Sequence, residues 1–411
     1  MIRYSSLGVL LALWCWASWA RPYTASPPIR SDGVGYHMWT KAFKSGDYSF
    51  VANQGAYDDF GCSLQKQTGQ CVNKWSMGTG LLRYPFIWPF VDPQTPKHFS
   101  EVEEQFVHWF AGALLLFSGW LLLDTTARRG YHGFAPNFAL LVVALGTGWF
   151  HYSTFDAGFS HAYSAFWASV LIWGINYAAQ TAASSRQKAS VGALLMITGV
   201  MMMLTRNTNV FLIAGSGLLG ILWAYSAGRL GKLIGPLLCL GLGTILGEAI
   251  QLLYNSHATG TLVLSSYVDE GFLWDQPQQW SVLFSYKKGL FTYYPALLLV
   301  ILNAAVVKAA RVSLMPTLLV VVALATIYGF WHTWWLGGSF GHRGFVEVAP
   351  LFYMPTVVAL AGLRGAFWRR FIPVVYVGLV LVSLRLMWAY WQGQLPYEGG
   401  TIGAYWALLR R

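Results

Sequence analysis

The sequence predicts an all-α polytopic membrane protein with about eleven transmembrane helices. Of its 411 residues, 55% are hydrophobic and only 10% are charged, whereas a soluble globular protein carries about 25% charged residues. Apolar runs long enough to span a hydrocarbon core of about 30 Å recur along the chain. Because the backbone of such a run must satisfy its own hydrogen bonds in lipid, a bundle of helices is the expected architecture.

The apolar segments divide the chain into spans and connections. They lie near residues 6–20, 105–124, 134–152, 163–182, 189–205, 208–227, 233–254, 293–310, 314–333, 346–363 and 371–390. We treat 1–411 as a single transmembrane domain with two large loops, 21–104 and 255–292. The tripeptide Ser18-Trp19-Ala20 also fits a signal-peptidase site, but we expect the first segment to be retained as an anchor.

The basic residues fall on alternate connections between these segments. If the N-terminus is cytoplasmic, the short inner connections are all basic, with Arg128 and Arg129, Arg186 and Lys188, Arg229 and Lys232, Lys308 and Arg311, and Arg364, Arg369 and Arg370. The short outer connections carry only Arg206 and Arg343, and nearly all acids except Asp124 lie outside. This asymmetry follows the positive-inside rule and predicts that both large loops and the C-terminal tail face outward. The net charge of +11 is then a topology signal, and nucleic acid is not an expected partner.

Two of the four cysteines, Cys62 and Cys71, lie nine residues apart in the large first loop. In an oxidising compartment they would form a disulfide that closes a small loop, and two free thiols are the alternative. A zinc site is not expected, since no second Cys or His pair has ligand spacing.

Asp32 opens the first outer loop, about ten residues beyond the first apolar segment. It is a candidate catalytic carboxylate, and the alternative is a helix N-cap, a position that favours Asp. Tyr36, Trp39 and Phe43 follow with the spacing i, i+3, i+7, which predicts an amphipathic helix of interfacial type. The aromatic stretch at 77–86 is also suited to the membrane surface.

The loop at 151–164 contains two histidines and an acid at a predicted membrane boundary, His151, Asp156 and His161. His161 is a candidate to bind phosphate or an acceptor hydroxyl, and a histidine bonded to backbone is the alternative. A metal site built from these three residues is a less favoured interpretation, because their spacing implies neither a facial nor a tetrahedral set.

Isolated cations lie on the predicted outer side. Arg206 and Arg343 are candidates for an anion site, because the guanidinium fork binds phosphate or carboxylate in two places at once. The alternatives are snorkelling of Arg206 to lipid headgroups and pairing of Arg343 with Glu347. Lys287 and Lys288 could equally contact a phosphate or anchor the chain at the interface. A carboxylate beside phosphate-seeking cations suits a transferase with a lipid-phosphate donor.

Several short motifs give the chain a family resemblance. They are Asp32-Gly33 followed by Tyr36, the turn Thr205-Arg206-Asn207-Thr208-Asn209, the stretch Leu283-Phe284-Ser285 with Gly289-Leu290-Phe291, and Ser339-Phe340-Gly341-His342-Arg343. With the large first outer loop and the eleven-span layout, the chain resembles the GT-C superfamily of integral membrane glycosyltransferases. It looks most like the bacterial protein mannosyltransferase and aminoarabinose-transferase group.

The resemblance implies an enzyme that moves a sugar, with inversion, from a polyprenyl-phosphate donor to a glycan, lipid or protein acceptor. Asp32 would be the general base, and Arg206 and Arg343 would stabilise the leaving phosphate. Tyr36, His161, Lys287, Lys288 and His342 are the further substrate-binding candidates that it implies. Many members have Asp-Glu where this chain has Asp32-Gly33, so the pair Asp58-Asp59 is the alternative catalytic acid. No cofactor is expected, and a divalent metal is possible but not favoured.

The resemblance also implies a location and leaves two other functions open. We expect a multi-pass protein of the bacterial inner membrane with an extracytoplasmic active site that serves the cell envelope. A transporter or flippase of lipid-linked intermediates would place polar residues through the span centres, whereas Glu248 and Arg385 lie towards the ends of their segments. A non-catalytic scaffold of an envelope-assembly complex would leave Asp32 as a cap only.

Overall fold

The computed structural model describes residues 4–22, 28–51, 62–92, 99–180, 184–263, 270–398 and 400–410. Nearly all of its regular structure is helical. The helices of the described residues are α1 Ser5–Ala20, α2 Asp32–Ser45, α3 Gly78–Ile87, α4 Glu101–Arg128, α5 Phe134–Leu145, α6 Trp149–Tyr152, α7 His161–Gln180, α8 Ser185–Thr205, α9 Asn209–Ser226, α10 Ile234–Thr259, α11 Gln279–Phe284, α12 Leu290–Tyr293, α13 Pro295–Val306, α14 Lys308–Phe330, α15 Ala349–Ala361, α16 Ala366–Trp391 and α17 Ile402–Leu409. Short 3-10 helices cover Leu230–Lys232 and Arg343–Val348, and strands β1 Ser63–Leu64 and β2 Cys71–Val72 form an antiparallel hairpin.

Each predicted apolar segment contains a helix, and the segment 134–152 is divided between α5 and α6. Within the described ranges, seven helices are long and apolar enough to cross a membrane: α4, α8, α9, α10, α14, the 3-10 helix with α15, and α16. The helices α1, α5 and α13 are apolar but shorter. The chain is therefore a multi-pass membrane protein, and the count of eleven spans stays a prediction.

Helix α7 is the centre of the bundle and packs against α4, α8 and α9. Helices α8 and α10 approach each other closely at glycines. A Cβ on Gly243 would lie 2.0 Å from the Met196 carbonyl oxygen, and one on Gly247 would lie 2.5 Å from that of Val200. Small residues at such contacts let the backbones of membrane helices pack directly.

Helix α2 forms where the aromatic spacing predicts a helix, but its residues Gly33–Ala42 are buried on every side. The expectation that it lies on the membrane surface is therefore corrected. Gly80 of α3 packs against the Trp39 side chain, and His37 contacts Glu103 of α4 at 3.2 Å. These partners make it feasible to bury the polar face of α2. The end of α3 is closer to the expected interfacial character, since Phe86 is exposed.

The predicted disulfide between Cys62 and Cys71 is confirmed, with Cα atoms 5.4 Å apart. It closes the β-hairpin, and Thr68 of the hairpin donates a hydrogen bond of 2.7 Å to the Ala258 carbonyl near the end of α10. The first loop is thus fastened to the bundle. The alternative acidic pair Asp58-Asp59 lies outside the described residues.

Arg129, one of the predicted cytoplasmic cations, contacts two other helices of the bundle. The Arg129 guanidinium, just beyond α4, lies 4.0 Å from the ring centre of Trp223 in α9. It also donates to Asn176 of α7 at 3.3 Å. Arg129 therefore joins three helices at the end opposite to Asp32.

Candidate functional site

Asp32 is the first residue of α2, and its side chain faces a loop distant in sequence. Its Oδ2 atom lies 2.9 Å from Nη2 of Arg343, at the start of the 3-10 helix. The N-cap position belongs to Ser31, whose φ of 48° places it in the left-handed region. The interpretation of Asp32 as the cap itself is therefore wrong by one residue, and the carboxylate forms a tertiary ion pair.

Arg206, in the turn between α8 and α9, is partly exposed and pairs with a buried acid. Its Nε atom lies 3.2 Å from Oε1 of Glu347, while Nδ1 of His161 lies 2.9 Å from the other carboxylate oxygen. The snorkelling alternative for Arg206 is wrong, because its guanidinium is held by a buried acid. The alternative pairing of Arg343 with Glu347 is also wrong, because these two residues pair with Asp32 and Arg206 respectively.

Two hydroxyl groups connect Arg206 to α2, the helix that begins at Asp32. Nη1 of Arg206 donates to Oγ of Ser160 at 3.1 Å, and Ser160 donates to the Tyr36 hydroxyl at 2.9 Å. The guanidinium of Arg343 lies 5.2 Å from the ring centre of the neighbouring Phe159. Tyr36, four residues beyond Asp32, is itself buried, and this burial raises the pKa of its hydroxyl.

The charged groups differ in their access to solvent. The side chains of Asp32, Arg206 and Arg343 are 22%, 17% and 13% exposed, whereas those of Glu347 and His161 are only 1% exposed. Two cations and one anion are thus partly exposed, and the second anion, Glu347, is buried beside Arg206.

A second set of polar groups lies beside the first. Arg30 and Asp156 form an ion pair of 2.8 Å, and His151 contacts the other oxygen of Asp156 at 2.9 Å. Burial alone would raise the pKa of Asp156, but Arg30 and His151 outweigh it and hold this pKa below its usual range. Because His151 pairs with Asp156 and His161 pairs with Glu347, the three residues of the metal hypothesis do not converge. Among the described residues, no group of three or more His, Cys, Asp or Glu side chains is arranged to hold a metal.

Three further candidates point inward rather than towards a ligand. Lys288 is fully buried and donates to the Ser339 carbonyl oxygen, and its burial, helped by nearby Arg343, lowers its pKa to about 7. Nε2 of His342 donates to the Trp334 carbonyl at 2.9 Å, and burial lowers the pKa of His342 to about 3. His161 is sealed against Glu347. These side chains are bonded within the protein, and substrate binding by them stays a prediction.

Lys287 has a different environment from its neighbour. Its side chain is partly exposed, and its Nζ atom lies 3.2 Å from the ring centre of Trp335. An ammonium group over an indole face is a cation–π contact. Lys287 is therefore accessible at the molecular surface, whereas Lys288 is buried.

The sequence pattern missed the importance of Glu347 and Arg30. Glu347 lies within an apolar segment, where an ionisable residue signals a functional or paired role. Arg30 lies two residues before Asp32, and its partner, Asp156, is too distant in sequence for a local pattern to indicate the pair.

Solved structures resemble the whole of this fold. The crystal structure of ArnT from Cupriavidus metallidurans bound to undecaprenyl phosphate matches 98% of this chain and 76% of its own, with a TM-score of 0.52 and 13% identity. ArnT is an aminoarabinose transferase of the GT-C type. The chain has the GT-C fold. No protein-family model matches its sequence, and no curated protein matches it.

A second GT-C protein gives the same result. The apo oligosaccharyltransferase of Archaeoglobus fulgidus matches 97% of this chain with a TM-score of 0.52 and 12% identity. The same archaeal protein, AglB, in complex with an inhibitory peptide and a dolichol-phosphate matches with a TM-score of 0.50. This chain spans 56% of the length of the archaeal protein.

Proposed function

We propose that the chain is a membrane glycosyltransferase that moves a sugar from a polyprenyl-phosphate donor to an extracytoplasmic acceptor. The observation that carries this proposal is the meeting of Asp32, Arg206 and Arg343, which come from three separate connections, in one solvent-facing cluster. Two proteins with this fold were crystallised with undecaprenyl phosphate or dolichol-phosphate. These two bound lipids support a lipid phosphate as the ligand of the arginines.

Asp32 is the general base of the proposed reaction. It takes the proton from an acceptor hydroxyl or amino group as that group attacks the anomeric carbon of the sugar. The bond between the anomeric carbon and the phosphate oxygen breaks as the new bond forms, so the configuration inverts. The lipid phosphate leaves with the electron pair, and the proton remains on Asp32.

The two arginines stabilise the negative charge that appears on the leaving phosphate. Arg206 is fixed in advance by Glu347 and Ser160, so little reorganisation is needed when the charge develops. Arg343 has the more exposed partner, Asp32, and is the cation that an incoming phosphate can share.

The proposal needs no divalent metal. Asp32 is followed by Gly33 rather than by a second acid, and the Arg343 guanidinium already serves as the counter-ion of its carboxylate. A single carboxylate that is bonded to a guanidinium is a poor ligand set for a hard cation, which takes several oxygen ligands.

The test is a transfer assay with purified protein in lipid nanodiscs. The protein is given a panel of undecaprenyl-phosphate sugars with glycan, lipid and peptide acceptors, and the release of undecaprenyl phosphate is measured. Loss of the base in Asp32→Asn should lower turnover by about 10²- to 10⁴-fold, whereas the exposed Asp275→Asn should retain it. Full turnover by Asp32→Asn with loss in an Asp58→Asn, Asp59→Asn double variant would move the base to the acidic pair. Lipid-phosphate binding without any turnover by the unaltered protein would favour the transporter alternative.

A further inference from the structure

The loop 153–160, between α6 and α7, contacts every element that carries an ion of the site. Gly158 packs against Gly33, the residue that follows Asp32. Phe159 lies beneath the guanidinium of Arg343, and the Ser160 hydroxyl accepts from Arg206. The relative positions of Asp32 and the two arginines therefore depend on where this loop lies.

The contact between Gly158 and α2 leaves no room for side chains. A Cβ on Gly33 would lie 3.2 Å from the Gly158 Cα, and a Cβ on Gly158 would lie 2.5 Å from the Pro28 carbonyl oxygen. The Gly158 amide also donates to that carbonyl at 3.2 Å. The glycine that replaces the expected second acid at position 33 thus allows the N-terminus of α2 to rest directly on the loop.

Arg83 of α3 forms hydrogen bonds to the backbone of this loop. Its Nη2 atom donates to the carbonyl oxygens of Gly158 at 2.7 Å and Ala157 at 3.3 Å. Its Nε atom donates to the Tyr163 hydroxyl at 2.7 Å. Arg83 is fully buried, so its rigid fork can fix two adjacent carbonyl groups of the loop and the start of α7 together.

The burial of Arg83 is unfavourable for the stability of the fold. A buried guanidinium loses its hydration, and within the described residues its Nη1 group has no hydrogen-bond partner. The groups that it does bond are uncharged oxygens. An uncharged side chain could fill this space with a smaller desolvation cost, which indicates that the three directed hydrogen bonds are what the position requires.

We propose that Arg83 is a positioning residue, which fixes the distance between Asp32 and the two arginines by clamping the loop 153–160. The effect of Arg83 on catalysis rests on the proposed glycosyltransfer, but its effect on the position of Asp32 does not. The position of Asp32 and the rate of transfer can therefore be tested separately.

The first measurement needs no substrate. A water-soluble carbodiimide with an amine nucleophile labels carboxyl groups, and mass spectrometry compares Asp32 with the exposed Asp275. Arg83→Gln should increase the labelling rate of Asp32 by about fivefold, the protection that a partly exposed ion pair can give, and leave Asp275 unchanged. Arg83→Lys should behave like Arg83→Gln, because an ammonium group cannot bond both carbonyls and Tyr163 in the plane of a fork. Arg186→Gln, at an exposed arginine, is the matched control.

A second variant disturbs the same contact without touching Arg83. Gly158→Ala should push the loop away from Pro28 and raise Asp32 labelling in the same way, so the inference stays testable if Arg83 variants fold poorly. Unchanged Asp32 labelling in folded Arg83→Gln and in Gly158→Ala would overturn the inference, whatever happens to thermal stability.

The second measurement determines kcat and KM for the donor separately in the transfer assay. A displacement of about 1 Å at the base can lower turnover by about 10²-fold, while charge attraction for a phosphate changes little over that distance. Arg83→Lys should therefore lower kcat and leave KM for the donor nearly unchanged. An equal loss in KM would contradict a positioning role. Increased Asp32 labelling in a protein without transfer activity would support the clamp and reject the proposed function.

Discussion

The carboxylate of Asp32 and the guanidinium of Arg343 lie 2.9 Å apart, so the proposed base and a proposed phosphate ligand neutralise each other in this structure. A donor phosphate would compete with Asp32 for the same guanidinium. Its arrival would release the carboxylate from its counter-ion and make it a better base. In the proposed mechanism, the ion pair would therefore couple occupation of the donor site to activation of Asp32.

This competition makes the lipid-phosphate affinity of Asp32→Asn the first prediction. Removing the competing charge should tighten binding of undecaprenyl phosphate by about two- to fivefold, the range expected for a partly exposed pair. Microscale thermophoresis in nanodiscs measures this affinity. Asp275→Asn should bind like the unaltered protein, and weaker binding by Asp32→Asn would show that Asp32 does not compete for Arg343.

The second prediction separates the two arginines. Arg343→Ala should weaken undecaprenyl phosphate binding by about tenfold or more, as loss of one charge-assisted contact does, with little loss of stability, because its partner Asp32 can turn to water. Arg206→Ala should also lower thermal stability, since it leaves Glu347 buried without its cation, and removing one partner of a buried pair costs about 3 kcal/mol or more. Thermal unfolding followed by tryptophan fluorescence compares the two variants.

A double variant controls this comparison. Glu347→Gln in the Arg206→Ala background removes the unpaired charge and should recover most of the lost stability without restoring lipid binding. Equal destabilisation by both single variants would contradict the assignment of Arg206 to a buried pair.

The fold and the charged residues of the site could be predicted from the sequence. Long apolar runs are expected to be helical in lipid, and each predicted segment contains a helix. Arg206 and Arg343 were identifiable because they are isolated cations on the predicted outer side, against the positive-inside rule. Asp32 was identifiable because it lies in the first outer loop soon after the first apolar segment. Those three residues meet in the structure through tertiary packing that no local pattern describes.

The ion-pair partners of the site residues could not be predicted from their spacing in the sequence. Arg343 and Glu347 are four residues apart, which places side chains together on an α-helix, but Arg343–Val348 is a 3-10 helix. With about three residues per turn, a residue four positions on points about 120° away. Glu347 therefore turns to Arg206. The burial of α2 was missed for a related reason, because Glu103, the partner of His37, comes from α4.

The third prediction concerns pH. The folded pKa of Lys288 is about 7, against an ordinary value of 10.5, because the side chain is buried. Between these values the unfolded chain binds more protons than the folded chain, so the Lys288 contribution makes stability rise with pH from about 7 to about 10. Lys288→Met should flatten this rise in thermal unfolding measured across the same range. The matched variant Lys287→Met should keep it, and an unchanged slope in Lys288→Met would exclude Lys288 as its source.

The fourth prediction is the sidedness of the bundle. Asp275, in the second large loop, and Arg186, at the start of α8, are both exposed, and the positive-inside rule assigns them to opposite sides of the membrane. In a Cys15→Ser, Cys239→Ser background that keeps the disulfide, a membrane-impermeant maleimide should label Asp275→Cys in intact cells. Arg186→Cys should react only after the membrane is permeabilised. The reverse pattern would place Asp32, Arg206 and Arg343 in the cytoplasm, where a donor facing the outer leaflet could not reach them.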